Sequence, residues 1–93
     1  PYYMHNCGHW LGLDVHDAGD YKVDNQWRAL EPGMVFTVEP GLYLNPTDKT
    51  VPEALRGIGI RIEDDIGVTD NGYHSFSNVP KTVQDIQQLM RTR

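Results

Sequence analysis

An α+β fold of antiparallel strands closed by a C-terminal helix is the class this sequence predicts, and three stretches predict it. MVFTVE at 34–39 alternates, with Met34, Phe36 and Val38 on one face and Val35, Thr37 and Glu39 on the other. Residues 58–69 alternate again, with Ile58, Ile60 and Ile62 opposite Arg61 and Glu63. Near the end, Thr82 reads as an N-cap, Asp85 follows three residues on, and Ile86, Leu89 and Met90 make the apolar stripe of a helix.

The remaining elements follow in chain order. HNCGHWLGLDVHD at 5–17 reads as a glycine-bent loop running into a short strand, because Leu11, Leu13 and Val15 alternate. A helix there would carry Gly8 and Gly12 at about 1 kcal/mol each. Residues 14–24 form an acidic, turn-forming loop, and 25–30 an irregular segment offering Trp27 and Leu30 for burial. Glu31-Pro32-Gly33 is a turn into the first clear strand, and Pro40-Gly41 interrupts that strand before Leu42, Tyr43 and Leu44 resume an extended course. Two prolines and scattered charges mark 45–55 as a surface connection. Gly59 and the Asp64-Asp65 pair hint at a bulge in the second strand. Asp70-Asn71-Gly72 then turns it back into a short strand at 74–76.

Composition narrows the function classes. A chain of 93 residues with 39% hydrophobic content supports one small core and not two domains. A net charge of −5 leaves no basic stripe with interleaved aromatics, which argues against nucleic acid as a partner. No apolar run approaches the ~20 residues of a membrane-spanning helix. Cys7 is the single cysteine, so no internal disulfide forms and a reducing, cytoplasmic setting is expected. The densest motif starts at His5, and a complete domain rarely places its active centre at an end that frays, so the chain is expected to be a fragment.

Three of the four histidines, His5, His9 and His16, fall within that motif. Imidazole is neutral, cationic or metal-bound near pH 7, so such density points to chemistry. Read as a strand, His5 and His9 share a face and His16 takes the other. Glu39 and Glu63 each stand opposite an aliphatic row. With the histidines they make a mixed oxygen and nitrogen donor set suited to a transition metal, although residues so far apart obey no local motif.

The blocks HNCGHWLGLDVHD (5–17), LEPGMVFTVEPGLY (30–43) and RGIGIRIEDD (56–65) resemble the last three signature blocks of the proline-specific metallopeptidases with the pita-bread fold, in order and in separation. Within that group the wording is most similar to aminopeptidase P, a metalloaminopeptidase that removes the N-terminal residue from peptides with proline second. Prolidase, which splits Xaa-Pro dipeptides, shares most of the blocks, and a pita-bread binding protein without catalysis is a third reading. The resemblance implies that residues 1–93 are the C-terminal portion of a catalytic pita-bread domain.

By the same resemblance, His9 ligates one metal, Glu39 ligates and relays protons, and Glu63 bridges two divalent cations, manganese(II) by expectation. His5 and His16 correspond to substrate-facing catalytic histidines. Arg61 and Tyr43 correspond to groups that orient Glu63 and the substrate, Arg61 counting also among the catalytic residues. Asn6 and Cys7 depart from the small and aliphatic residues usual after the first histidine. The family's two aspartate ligands have no counterpart in these residues, so this stretch alone is expected to be inactive and, with a sheet edge open, to self-associate as a homo-oligomer.

Overall fold

The computed structural model describes residues 3–91. Its strands are β1 (Leu11–Gly12), β2 (Val15–His16), β3 (Lys22–Val23), β4 (Gln26–Trp27), β5 (Val35–Val38), β6 (Gly41–Tyr43), β7 (Gly59–Arg61), β8 (Asp64–Thr69) and β9 (Gly72–Ser75). A 3-10 turn at Glu53–Leu55 and the helix α1 (Val83–Arg91) complete the order. Every strand pairing is antiparallel, as the alternating pattern requires of half-solvated strands.

The two alternating stretches become one bent ribbon. β5 pairs with β8 and β6 with β7; Val38 lies opposite Asp64 and Gly41 opposite Arg61. Both strands advance three residues between those pairs, so one register spans the bend and Glu39 stands opposite Glu63. Pro40 causes the break, since it has no N–H to give the ladder, while its carbonyl still accepts from the Ile62 N–H at 3.1 Å. The stretch 58–69 is therefore two strands rather than one. No residue is inserted, so the bulge expected at Gly59 or Asp64-Asp65 does not form.

On the far edge of β5 the backbone of 7–10 runs antiparallel to it. The Thr37 N–H donates to the His9 carbonyl at 2.9 Å and the Glu39 N–H to the Cys7 carbonyl at 2.6 Å. Gly8 permits this approach, because a Cβ there would lie 1.9 Å from the Thr37 carbonyl oxygen. On the other side β9 pairs with β8 through a two-residue turn at 70–71, as the Asp-Asn-Gly signal predicts.

Residues 11–27 depart from expectation. The chain reverses at Leu13-Asp14, so the alternating leucines build a small hairpin, β1–β2, and not one strand; Leu13 points into solvent. The acidic loop and irregular segment form a second hairpin, β3–β4, whose loop residues Asp24 (φ 51°) and Asn25 (φ 63°) both adopt the left-handed conformation of a type I′ turn. Trp27 is not buried; its ring lies under the Lys22 ammonium at 4.4 Å, a cation–π contact. Leu30 is exposed as well.

Thr82 caps α1 as predicted, its Oγ1 accepting the Asp85 N–H at 3.1 Å. The stripe of Ile86, Leu89 and Met90 nevertheless remains exposed. Among the described residues only Val51 is a buried hydrophobic side chain, so the expected small core is scarcely present. Surface and size agree. The accessible area is 7863 Å², against roughly 5,500 Å² for a compact chain of this mass. The radius of gyration is 17.0 Å, against about 12 Å for a globule of this length. Leu30, Phe36, Val38, Ile66, Val68 and Tyr73 line an open apolar hollow on the face of the sheet away from Glu39.

In the full-length protein, Gly8→Ala is expected to push 7–10 off β5 and to cost about 1–3 kcal/mol in urea unfolding, as overpacking does. An unchanged unfolding midpoint would show that the edge accommodates the methyl group.

Candidate metal centre

The bend of the ribbon gathers the donors. The bond from Ile62 to Pro40 makes that pair hydrogen-bonded, so the neighbouring pair, Glu39 and Glu63, is of the non-hydrogen-bonded kind, in which opposed Cα atoms lie about 4.5 Å apart. His9 arrives from the opposite edge, held beside Thr37. One ligand atom from each of His9, Glu39 and Glu63 then lies within 4.8 Å of the others. His9 and Glu39 are mostly buried, with side chains 17% and 12% exposed.

Backbone and side-chain bonds prepare this set. The His9 Nδ1 lies 2.9 Å from the Trp10 carbonyl oxygen, which can only accept, so Nδ1 carries the proton and Nε2 turns inward. Nε2 is 3.2 Å from Glu39 Oε1. In the neutral ring both atoms present lone pairs, and two acceptors at that distance repel unless a proton or a cation lies between them. The residues present therefore fit a metal ion. Thr37 joins the two candidate ligands: its Oγ1 accepts the His9 N–H at 3.0 Å and donates to Glu39 Oε1 at 3.1 Å. It is 1% exposed and the most deeply buried polar side chain described.

A second network borders the first. His5 repeats the His9 arrangement, with Nδ1–H donating to the Asn6 carbonyl at 2.7 Å and Nε2 accepting the Tyr43 hydroxyl at 2.6 Å. The Arg61 Nε–H also points at His5 Nε2, at 3.3 Å, and stands 3.7 Å from Glu39 Oε2. Gly41 lies beneath this pair; a Cβ there would meet the Tyr43 hydroxyl at 2.6 Å and His5 Nε2 at 2.7 Å.

His16 returns to the site through the β1–β2 hairpin, and its ring centroid lies 4.1 Å from that of His9. The turn delivering it is strained. The His16 N–H bonds back to the Asp14 carbonyl at 2.6 Å around Val15, a β-branched residue at φ 65°. The strand reading that set His16 on the other face fails because the chain reverses before reaching it.

His5, His9, His16, Glu39 and Arg61 thus line one cleft of about 340 Å³, with Tyr21 across from them. Glu63 and Tyr43 join it through the contacts above. Two contributors escaped the sequence reading. Thr37 was legible only as the residue sharing a face with Glu39. Tyr21 had no signal; it stacks on Trp10, with ring centroids 5.4 Å apart. His74, on β9, stays outside, edge-on to Phe76.

A family profile described as metallopeptidase family M24 matches residues 1–70. The chain belongs to metallopeptidase family M24. Among curated M24-type relatives, it is 57% identical to an Xaa-Pro aminopeptidase of Escherichia coli over 91 residues, 97% of this chain and 20% of that protein. An Xaa-Pro aminopeptidase of Haemophilus influenzae is 54% identical over 96% of this chain and 20% of its own length. Of solved structures, aminopeptidase PepP of Pseudomonas aeruginosa superposes with a TM-score of 0.93 at 58% identity, covering 98% of this chain and 21% of that one. Escherichia coli aminopeptidase P with the inhibitor Pro-Leu gives 0.90 at 54%, covering 99% and 21%. The chain spans about a fifth of the length of these relatives. The match places it in the pita-bread region of the M24 fold, as the three blocks implied.

Within this candidate centre, Thr37→Val is expected to keep the shape of the side chain and lose the bond that ties His9 to Glu39. Metal affinity of the full-length protein, read by chelator competition, should fall by about tenfold or more, while Thr37→Ser retains it. Equal affinity in the valine variant would show that the hydroxyl does not hold the ligands.

Proposed function

We propose that the protein carrying this chain is an Xaa-Pro aminopeptidase, hydrolysing the first peptide bond of substrates with proline in second position. The observation that carries the reading is the convergence of His9, Glu39 and Glu63 donor atoms within 4.8 Å, with the His9 tautomer already set for ligation. Relatives at this level of identity are Xaa-Pro aminopeptidases. We assign residues 1–93 to the C-terminal portion of the catalytic domain; the open apolar faces support a larger assembly around them.

His9, Glu39 and Glu63 would hold the metal, with Glu63 shared between two divalent ions. Manganese(II) suits an oxygen-rich set with one imidazole. Bound metal supplies an activated water and polarises the scissile carbonyl. Glu39, with Oε1 held by Thr37 and Oε2 facing Arg61, is placed to pass a proton from the attacking water to the leaving nitrogen. His16, beside His9 in the cleft, donates to the developing oxyanion. His5, oriented by Tyr43 and Arg61, faces the substrate backbone. Further copies of the protein are proposed as partners, since many apolar side chains stand exposed. A cytoplasmic setting fits the single free thiol of Cys7.

Ligand and catalyst should fail differently in the full-length enzyme. His9→Ala and Glu63→Gln are expected to lose metal and turnover together. His16→Ala is expected to keep its metal and lose about 100-fold or more in rate. Metal analysis with kinetics on an Xaa-Pro-Yaa tripeptide decides this, and equal metal loss in all three would remove His16 from the catalytic role. Strict preference for Xaa-Pro dipeptides would make the enzyme a prolidase instead.

A further inference from the structure

Glu63 occupies a weakly held position. It sits in the gap between β7 and β8, and as a member of a non-hydrogen-bonded pair it turns its backbone N–H and C=O away from Glu39. Among the described residues neither group has a hydrogen-bond partner. β9 ends at Ser75, before it could supply one.

The two residues after Glu63 are fixed by the segment ahead of α1. The Asp65 N–H donates to Ser77 Oγ at 2.8 Å, and the Asp65 carbonyl accepts the Phe76 N–H at 2.8 Å. The Ser77 hydroxyl thus stands where the next ladder carbonyl would stand. Asp64 is held from the other face, its Oδ1 2.8 Å from Lys81 Nζ. That carboxylate is 27% exposed and shares the apolar hollow with Phe36, Val38 and Ile66. A charge on such a face is costly unless paired. Without Lys81, Asp64 gains by swinging toward water, and the start of β8 turns with it.

We propose that Lys81 and Ser77 are positioning residues for Glu63: together they clamp the two residues that follow it and so fix where its carboxylate enters the metal centre. The proposal rests on the reading of Glu63 as a metal ligand, and neither Lys81 nor Ser77 lines the cleft.

The test uses the full-length protein and manganese(II) alone, with affinity read by chelator competition. Lys81→Met and Ser77→Ala are each expected to weaken manganese binding by about tenfold or more, the range for groups behind a ligand. Lys81→Arg should restore it. Turnover should fall at limiting manganese and recover at saturation, with KM for the peptide unchanged. Adding Asp64→Asn to Lys81→Met should not lower affinity further, since the two belong to one pair. Val51→Ala provides a control for general loss of stability; it should lower the melting temperature and leave manganese affinity alone. Wild-type affinity in Lys81→Met and Ser77→Ala overturns the proposal, as does an equal loss of affinity in Val51→Ala. Manganese binding by Glu63→Ala as tight as wild type removes the ligand reading and this proposal with it. A wild-type protein inactive on proline peptides but showing the expected pattern of affinities supports the clamp and fails the peptidase reading alone.

Discussion

Two carboxylates set opposite one another across an antiparallel ribbon are the constraint on which this structure depends. Like charges facing each other in a non-hydrogen-bonded pair destabilise a sheet. The register leaves no escape, because a slip by one residue would send the alternating apolar faces to the wrong side. A cation between the two reverses the sign of the interaction. Sheet pairing and the proposed metal binding are therefore one problem: the ribbon presents Glu39 and Glu63 together, and a metal ion held between them would make that presentation favourable.

The surrounding residues serve the same arrangement at successive distances. Pro40 breaks the ladder where the carboxylates meet, and Gly8 lets the histidine segment close on β5. Thr37 ties the histidine to one glutamate, buried where its hydroxyl has no other use. Val15 stores strain of about 1–3 kcal/mol in the turn that returns His16 to the cleft. Such strain persists only where neighbouring contacts over-determine the geometry. Here they include the bond from the Asp17 N–H to the Trp10 carbonyl, the same oxygen that orients His9.

Against this order at the site stands the openness of the rest. Nearly every large apolar side chain of β7, β9 and α1 is exposed, and complete burial of one such group contributes about 1.5–3 kcal/mol. The described residues thus hold the local geometry of a centre with little of the burial that stabilises a domain. The helix illustrates it: Thr82 caps it well, yet the apolar stripe of Ile86, Leu89 and Met90 stays exposed.

The sequence by itself determined the strand at 34–39, the extended course of 58–69 though not its division into β7 and β8, the turn at 70–71 and the capped helix, because alternation, turn chemistry and capping are local and need no partner. It also singled out, through blocks whose wording resembles a known family, seven residues that the fold brings together around one cleft. The tertiary structure alone decided how they meet. The constant register across Pro40 set Glu39 against Glu63, a relation between distant strands that no window of sequence contains. The hairpin at 11–16 brought His16 onto His9, where alternation had placed it on the opposite face, because Val15 adopts a backbone conformation that its own preferences disfavour. The β3–β4 hairpin was likewise hidden, its Asp-Asn loop lacking the glycine that announces such turns. Thr37 became part of the centre only when the edge of β5 received residues 7–10, since a threonine in a strand carries no mark of the bond it will make.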